Sequence, residues 1–206
     1  MLELLPEFTS QPEVLLAACA FGYLAGSIPF GIIISKILGL GDLRKVGSGN
    51  IGATNVLRTG NKLAAFLTLL FDFSKGICAV LLVRQFFGED AVQVSAFSAL
   101  AGHCFPIWLR FRGGKGVATF LGVTIALFFI LGIICCFVWL FVALVRKMSS
   151  LASLTSSASA PIAAIFLNQP NTIILLVLLV GMVFFRHKQN IDRIIKGIEP
   201  KIGKTE

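Results

Sequence analysis

Two glycine-rich runs carry the residues best suited to chemistry in this chain of 206 residues. The first is Gly47-Ser48-Gly49-Asn50-Ile51-Gly52-Ala53-Thr54-Asn55, followed by Arg58; the second is Arg112-Gly113-Gly114-Lys115-Gly116. Glycine lets main-chain N–H groups turn toward an anion, and Lys and Arg supply the charge. Around the first run, Ser48, Asn50, Thr54 and Asn55 offer small hydrogen-bonding groups, and Arg58 can grip a phosphate through two parallel bonds. A plain connector needs no such set of donors beside an arginine, so 39–62 reads as a ligand loop. The second run looks like a nucleotide P-loop only superficially. It lacks the four-residue spacer, and Val117 stands where a Ser or Thr would hold magnesium. It reads instead as an anion-binding turn opening a helix at Val117, whose N-terminus adds a favourable field.

A third element is Arg186-His187-Lys188-Gln189-Asn190-Ile191-Asp192-Arg193. It contains the His-x-x-x-x-Asp pattern of soluble-type lipid acyltransferases. Residues five apart on a helix point about 140° away from each other, so His187 and Asp192 do not read as a dyad. His187, Asn190 and Arg193, at spacings of three, share a face far better. Asp72 and Lys75 lie three apart inside an apolar segment and read as a pair that neutralises itself and braces neighbouring helices, with a proton relay as the alternative. His103 reads as a helix-end residue bonded to a carbonyl, Ser27-Ile28-Pro29 as a kink, and Lys36 as a snorkelling residue. The five cysteines (Cys19, Cys78, Cys104, Cys135, Cys136) show no metal-ligand spacing and read as packing residues.

The elements that must position these groups are membrane helices. The chain is 56% hydrophobic and only 14% charged, too apolar for a water-soluble domain of this length. Its net charge of +8 falls in clusters between apolar stretches: Arg44, Lys45, Arg58 and Lys62; Arg110, Arg112 and Lys115; Arg146 and Lys147; and Arg186, Lys188, Arg193, Lys196, Lys201 and Lys204. That is the positive-inside pattern and implies no nucleic acid. Glu3, Glu7 and Glu13 precede any basic residue and place the N-terminus outside; their acidic flank also argues against a cleavable leader.

Apolar stretches cover roughly 14–38, 63–87, 92–109, 117–145, 150–167 and 172–185. One helix over 117–145 would be about 43 Å long against a hydrocarbon core of about 30 Å. Two short helices breaking near Gly132 resolve this, with one tilted helix as the rival. The expectation is an all-α polytopic bundle of about seven spans, several short or broken, with the N-terminus outside and the C-terminus cytoplasmic. Residues 1–206 form a single membrane domain, with 1–12 as an extension and 186–206 as a basic tail in which the stretch from Arg186 to Lys196 reads as a helical extension, with Pro200 stopping it.

Gly47 through Arg58, Gly113-Gly114-Lys115-Gly116-Val117-Ala118-Thr119 and Arg186-His187-x-x-Asn190-Ile191-x-Arg193 together resemble the three signature motifs of the PlsY family. Gly26-Ser27-Ile28-Pro29-Phe30-Gly31, Asp72-x-x-Lys75-Gly76 and Gly102-His103-x-Phe105-Pro106 extend the resemblance over nearly the whole chain. The N-terminal extension and Asp192 are the main departures. The resemblance implies an acyltransferase of the bacterial inner membrane with its site facing the cytoplasm. It would pass a fatty acyl group from acyl phosphate to the sn-1 hydroxyl of glycerol 3-phosphate, giving lysophosphatidic acid. The implied partners are those two substrates, membrane lipid, and functional coupling to an acyl-phosphate-forming enzyme. No cofactor or metal is expected. An acyl phosphate carries a good leaving group, so the protein must align and stabilise and need not supply a nucleophile.

On this basis Lys115, Arg58, His187 and Asn190 are the candidate catalytic residues. Ser48, Gly49, Asn50, Thr54, Asn55, Arg58, Gly113, Gly114, Lys115, Gly116, Ser150 and Arg193 are the candidate phosphate ligands. The first loop, with His187 and Asn190, is assigned the acceptor phosphate, and Lys115 with its turn the donor. His187 and a substrate phosphate are both open as the base. A transporter for a phosphorylated metabolite, with Asp72 and Lys75 near the midplane, is the competing reading.

Overall fold

The computed structural model describes residues 4–202, and these contain ten α-helices and no strand. Glu3 and Lys204 lie outside the described residues. Helices α1 (Pro12–Ser27) and α2 (Phe30–Ile37) form one apolar segment broken before Pro29, whose ring cannot continue the hydrogen-bond ladder, so the expected kink is present. A short α3 (Ala53–Leu57) lies within the first glycine-rich loop. Helices α4 (Lys62–Arg84), α5 (Glu89–Cys104), α6 (Val117–Leu127), α7 (Phe129–Arg146), α8 (Ser149–Phe166) and α9 (Ile173–Arg186) follow, with α10 (Lys188–Ile195) closing the chain. Among the described residues four segments are long and apolar enough to cross a membrane, Pro12–Ile37, Lys62–Arg84, Glu89–Leu109 and Phe129–Arg146, with a fifth if the bent pair Pro170–Arg186 and Lys188–Ile195 counts as one span. Large apolar side chains such as Leu16, Phe66, Phe137, Phe141 and Phe166 face outward. This is an all-helical integral membrane protein.

Inside the bundle, glycine lets helices touch through their backbones. A Cβ on Gly26 would meet the Ala99 carbonyl, and one on Gly102 the Tyr23 carbonyl, so α1 and α5 pack as the most intimate pair. Gly122 does the same for α6 against Phe73 of α4. Several hydroxyls and indoles find partners across the bundle: Tyr23 Oη donates to the Phe105 carbonyl at 2.8 Å, Trp108 Nε1 to Ser27 Oγ at 2.9 Å, and Ser156 Oγ to the Cys135 carbonyl at 2.7 Å. The described end of the N-terminal extension is tied down at residues 9 and 10. Thr9 and Ser10 amides donate to Asp90 at 2.9 and 2.8 Å, at the start of α5.

The apolar run 117–145 is two helices, as expected, but it breaks at Phe128, which is extended (φ −151°, ψ 114°), and not at Gly132. Gly132 is instead where α7 folds back against Ile125 of α6. The halves are unequal, 11 and 18 residues, and at about 1.5 Å per residue α6 spans only about half of a hydrocarbon core. The basic tail carries its helix within the expected stretch, as α10. Its helix ends at Ile195 and the chain turns at Gly197 (φ +71°), three residues before Pro200, where a left-handed backbone favours glycine. The tail then returns, and the Ile202 amide donates to the Lys147 carbonyl at 2.6 Å.

Candidate active site

Gly47 and Gly49 adopt positive φ (46° and 68°), which folds the first loop onto itself. Asn55 is its internal pin. Its Nδ2 donates to the Leu43 carbonyl at 2.9 Å, and its Oδ1 accepts from the Ser48 amide at 3.1 Å. Only 2% exposed, Asn55 commits Oδ1 and one Nδ2 hydrogen to the shape of the loop. Arg58, at the end of α3, lies across Gly47, where no Cβ would fit. Ser48 and Thr54 are exposed, and Asn50 is half-buried.

The second loop reverses between α5 and α6. Arg110 and Phe111 hold left-handed backbones (φ 52° and 60°), a conformation that costs roughly 1–2 kcal/mol per non-glycine residue. That reversal returns Gly113 and Gly114 to the end of α5. There the Gly113 amide donates to the Cys104 carbonyl and the Gly114 amide to the His103 carbonyl, both at 3.1 Å. Those two amides, expected to face an anion, are consumed in holding the turn. Arg186, a residue the sequence analysis left unassigned, clamps its other side: Nε donates to the Gly114 carbonyl at 3.0 Å and Nη2 to the Gly113 carbonyl at 2.9 Å. Gly116, at φ +83°, opens α6 at Val117 as anticipated.

What the turn delivers is Lys115. Its Nζ donates to Asn190 Oδ1 at 2.6 Å, joining the second loop to α10. Asn190 Nδ2 and Arg193 Nε both donate to Glu199, at 2.7 and 2.8 Å. Glu199, also unassigned from sequence, arrives through the returning tail. Ser150, at the start of α8, is buried beside Glu199, and its Oγ has no hydrogen-bond partner among the described residues. Ser150 thus brings a buried hydroxyl up against the charged cluster.

The cluster is strongly electropositive. Burial, opposed by Glu199 and reinforced by Arg193, Arg186 and Arg58, brings the Lys115 pKa down to about 8. Burial alone would raise the Glu199 carboxyl, but Asn190 and Arg193, which donate to it, hold it below its ordinary value. At His187, 2% exposed, burial lowers the pKa to about 4. His187 Nδ1 lies 2.8 Å from the Val183 carbonyl, which can only accept, so Nδ1 carries the proton and Nε2 presents a lone pair. Asp192 pairs with Lys196 at 2.9 Å, away from His187, as the rejected dyad required.

A family model described as Glycerol-3-phosphate acyltransferase matches residues 16–197. The chain is 53% identical over 202 residues to a Glycerol-3-phosphate acyltransferase of Jannaschia sp. strain CCS1, covering 98% of this chain and 100% of that protein. It is 55% identical over 185 residues to one of Roseobacter denitrificans, covering 90% and 92%. Among solved structures it resembles PlsY (YgiH), an integral membrane glycerol 3-phosphate acyltransferase. The glycerol 3-phosphate form matches at TM-score 0.87 and 38% identity, over 92% of this chain and 96% of that one. The lysophosphatidic acid form matches at 0.84 and 34%, over 92% and 95%.

Proposed function

The chain belongs to the glycerol-3-phosphate acyltransferase family, and from that premise we propose that it transfers a fatty acyl group from acyl phosphate to the sn-1 hydroxyl of glycerol 3-phosphate. The observation that carries the assignment of its site is the Lys115–Asn190 contact at 2.6 Å. It joins residues from two motifs in one electropositive cluster, with Arg58, Arg186 and Arg193 near enough to act on the charge of Lys115, and Ser150 beside Glu199. One pocket then serves both phosphates, in place of a strict division between loops.

In the proposed reaction the sn-1 hydroxyl oxygen attacks the acyl carbonyl carbon, forming the ester bond. The carbon–oxygen bond to phosphate breaks and inorganic phosphate leaves. The hydroxyl proton passes to a phosphate oxygen already held in the pocket. His187 is a weak base at a pKa of about 4, so its Nε2 orients the hydroxyl by accepting a hydrogen bond and does not take the proton for good. Lys115 and Arg58 offset the charge developing on the carbonyl and leaving oxygens. Asn190 positions Lys115, and Ser48, Asn50 and Thr54 complete the phosphate cradle.

The proposed topology is seven crossings, with α1 and α2 counted as one, the N-terminus outside and the site on the cytoplasmic face of the inner membrane. Its support is that Arg58, Lys115, Lys147, Arg186 and the tail meet at one end of the bundle. The donor, made elsewhere as a labile mixed anhydride, would reach this site from an acyl-phosphate-forming enzyme. The transporter reading loses its midplane site, because Asp72 and Lys75 are packed away at 3% and 5% exposure. Lys115→Ala and Asn190→Ala each raise the KM for glycerol 3-phosphate at least tenfold, the scale of one charge-assisted hydrogen bond. An unchanged KM in both would contradict the site.

A further inference from the structure

A polar cluster lies inside the helices, apart from the reacting groups, and the acyl-transfer chemistry makes no direct use of it. Asp72 and Lys75, on successive turns of α4, pair at 2.8 Å with both side chains 4% exposed. Lys75 Nζ also donates to the Ile28 carbonyl at 3.0 Å, in the break between α1 and α2. His103, in the last turn of α5, sits with Nδ1 3.7 Å from Asp72 Oδ1. The ring makes no bond to a carbonyl, contrary to the sequence expectation, and Nδ1 has no hydrogen-bond partner among the described residues.

The other edge of that ring is spoken for. A Cβ added to Gly114 would strike His103 Nε2, Cε1 and Cδ2. The His103 carbonyl meanwhile accepts the Gly114 amide at 3.1 Å. Gly114 is therefore held by main chain and ring on one side and by Arg186 on the other, and Lys115 is the next residue. A buried ion pair costs several kcal/mol per ion to desolvate, and apolar packing braces helices as well or better. This pair, unlike a simple brace, underlies a ring that ends against the lysine-bearing turn.

We propose that His103, seated against the Asp72–Lys75 pair, is a positioning residue for acyl transfer: its ring sets the level of the Gly113–Lys115 turn and so the place of Lys115 Nζ. The inference rests on Lys115 being a phosphate ligand. It predicts that His103 acts through geometry, without touching substrate, and that Gly114 has no side chain because the ring occupies its place.

The test is a double-mutant cycle in the purified full-length protein, with kcat and KM for glycerol 3-phosphate normalised to folded enzyme. Gly114→Ala alone is expected to lose on the order of a hundredfold in kcat/KM, since the methyl and the ring compete for one space. His103→Ala alone loses on the order of tenfold, and the two together recover at least tenfold over Gly114→Ala, a coupling of the size seen between contacting residues. A second readout is the alkaline limb of kcat/KM, set by Lys115 among Glu199, Arg193, Arg186 and Arg58, none of which is altered. In His103→Ala or the milder His103→Gln the limb moves to higher pH, because a loosened turn lets Lys115 reach water. Losses that simply multiply, with the limb unmoved in either His103 variant, would overturn the inference. Full activity in Lys115→Ala would instead overturn the reading on which it rests.

Discussion

Lys115 offers the sharpest test of how the pocket works, through its titration. An ordinary lysine stays charged to pH 10.5, whereas burial, with Arg193, Arg186 and Arg58 close by, brings this one down to about 8 despite Glu199. A group with that pKa is about 90% charged at pH 7 and about 10% charged at pH 9. If the charged form holds phosphate, kcat/KM for glycerol 3-phosphate falls about tenfold per pH unit above 8. The bound phosphate dianion favours the ammonium, so in kcat, which reports the complex, the limb lies at higher pH. Lys115→Arg separates charge from geometry, because a guanidinium stays charged throughout this range. That variant has a lower plateau, from the misplaced donor, and no limb near 8. The assay is initial rates of ester formation at subsaturating glycerol 3-phosphate from pH 6.5 to 10 in detergent. A flat wild-type profile to pH 10, or the same limb retained in Lys115→Arg, would refute the reasoning.

Other parts of the site and fold make separate predictions. Arg58→Ala lowers kcat/KM by about 10- to 150-fold, the range for a hydrogen bond to a charged group, with little change in thermal stability in detergent. Glu199→Gln removes the anion that favours Lys115 charging, so the alkaline limb of kcat/KM moves below pH 8; a limb at unchanged pH would show that the tail carboxylate does not govern Lys115. Gly102→Val drives a side chain into the Tyr23 backbone and destabilises the α1–α5 pair by several kcal/mol, read as a lowered Tm. Gly181→Ala, with open space around it, leaves Tm within a degree or two and serves as the control.

The legible features were those written in local pattern. Apolar lengths identified the membrane helices, Pro29 the first break, and Gly116 with Val117 the start of α6. The first two motifs are legible because glycine, small donors and basic residues crowd into short runs, and the third because His187, Asn190 and Arg193 recur at spacings of three. Long-range returns of the chain were not legible. Glu199 looks like an ordinary tail residue until Gly197 turns the chain back and the Ile202 amide reaches Lys147. Arg186 reads as a positive-inside anchor, and only the fold of the second loop shows it holding the Gly113 and Gly114 carbonyls. The break at Phe128 was misplaced because glycine is the stronger local signal, yet Gly132 serves close packing against Ile125. Asn55 reads from its motif as a small ligand donor, and only the fold shows its second part, pinning the loop through a bond to Leu43, twelve residues away.

The central claim is acyl transfer from an acyl phosphate at the Lys115–Arg58 pocket. Its most direct test offers purified protein glycerol 3-phosphate with a synthetic acyl phosphate, and acyl-CoA in parallel, alongside Arg58→Ala and Lys115→Ala. The account predicts lysophosphatidic acid from acyl phosphate alone, with both variants reduced at least tenfold. Equal transfer from acyl-CoA, or full activity in both variants, would contradict it.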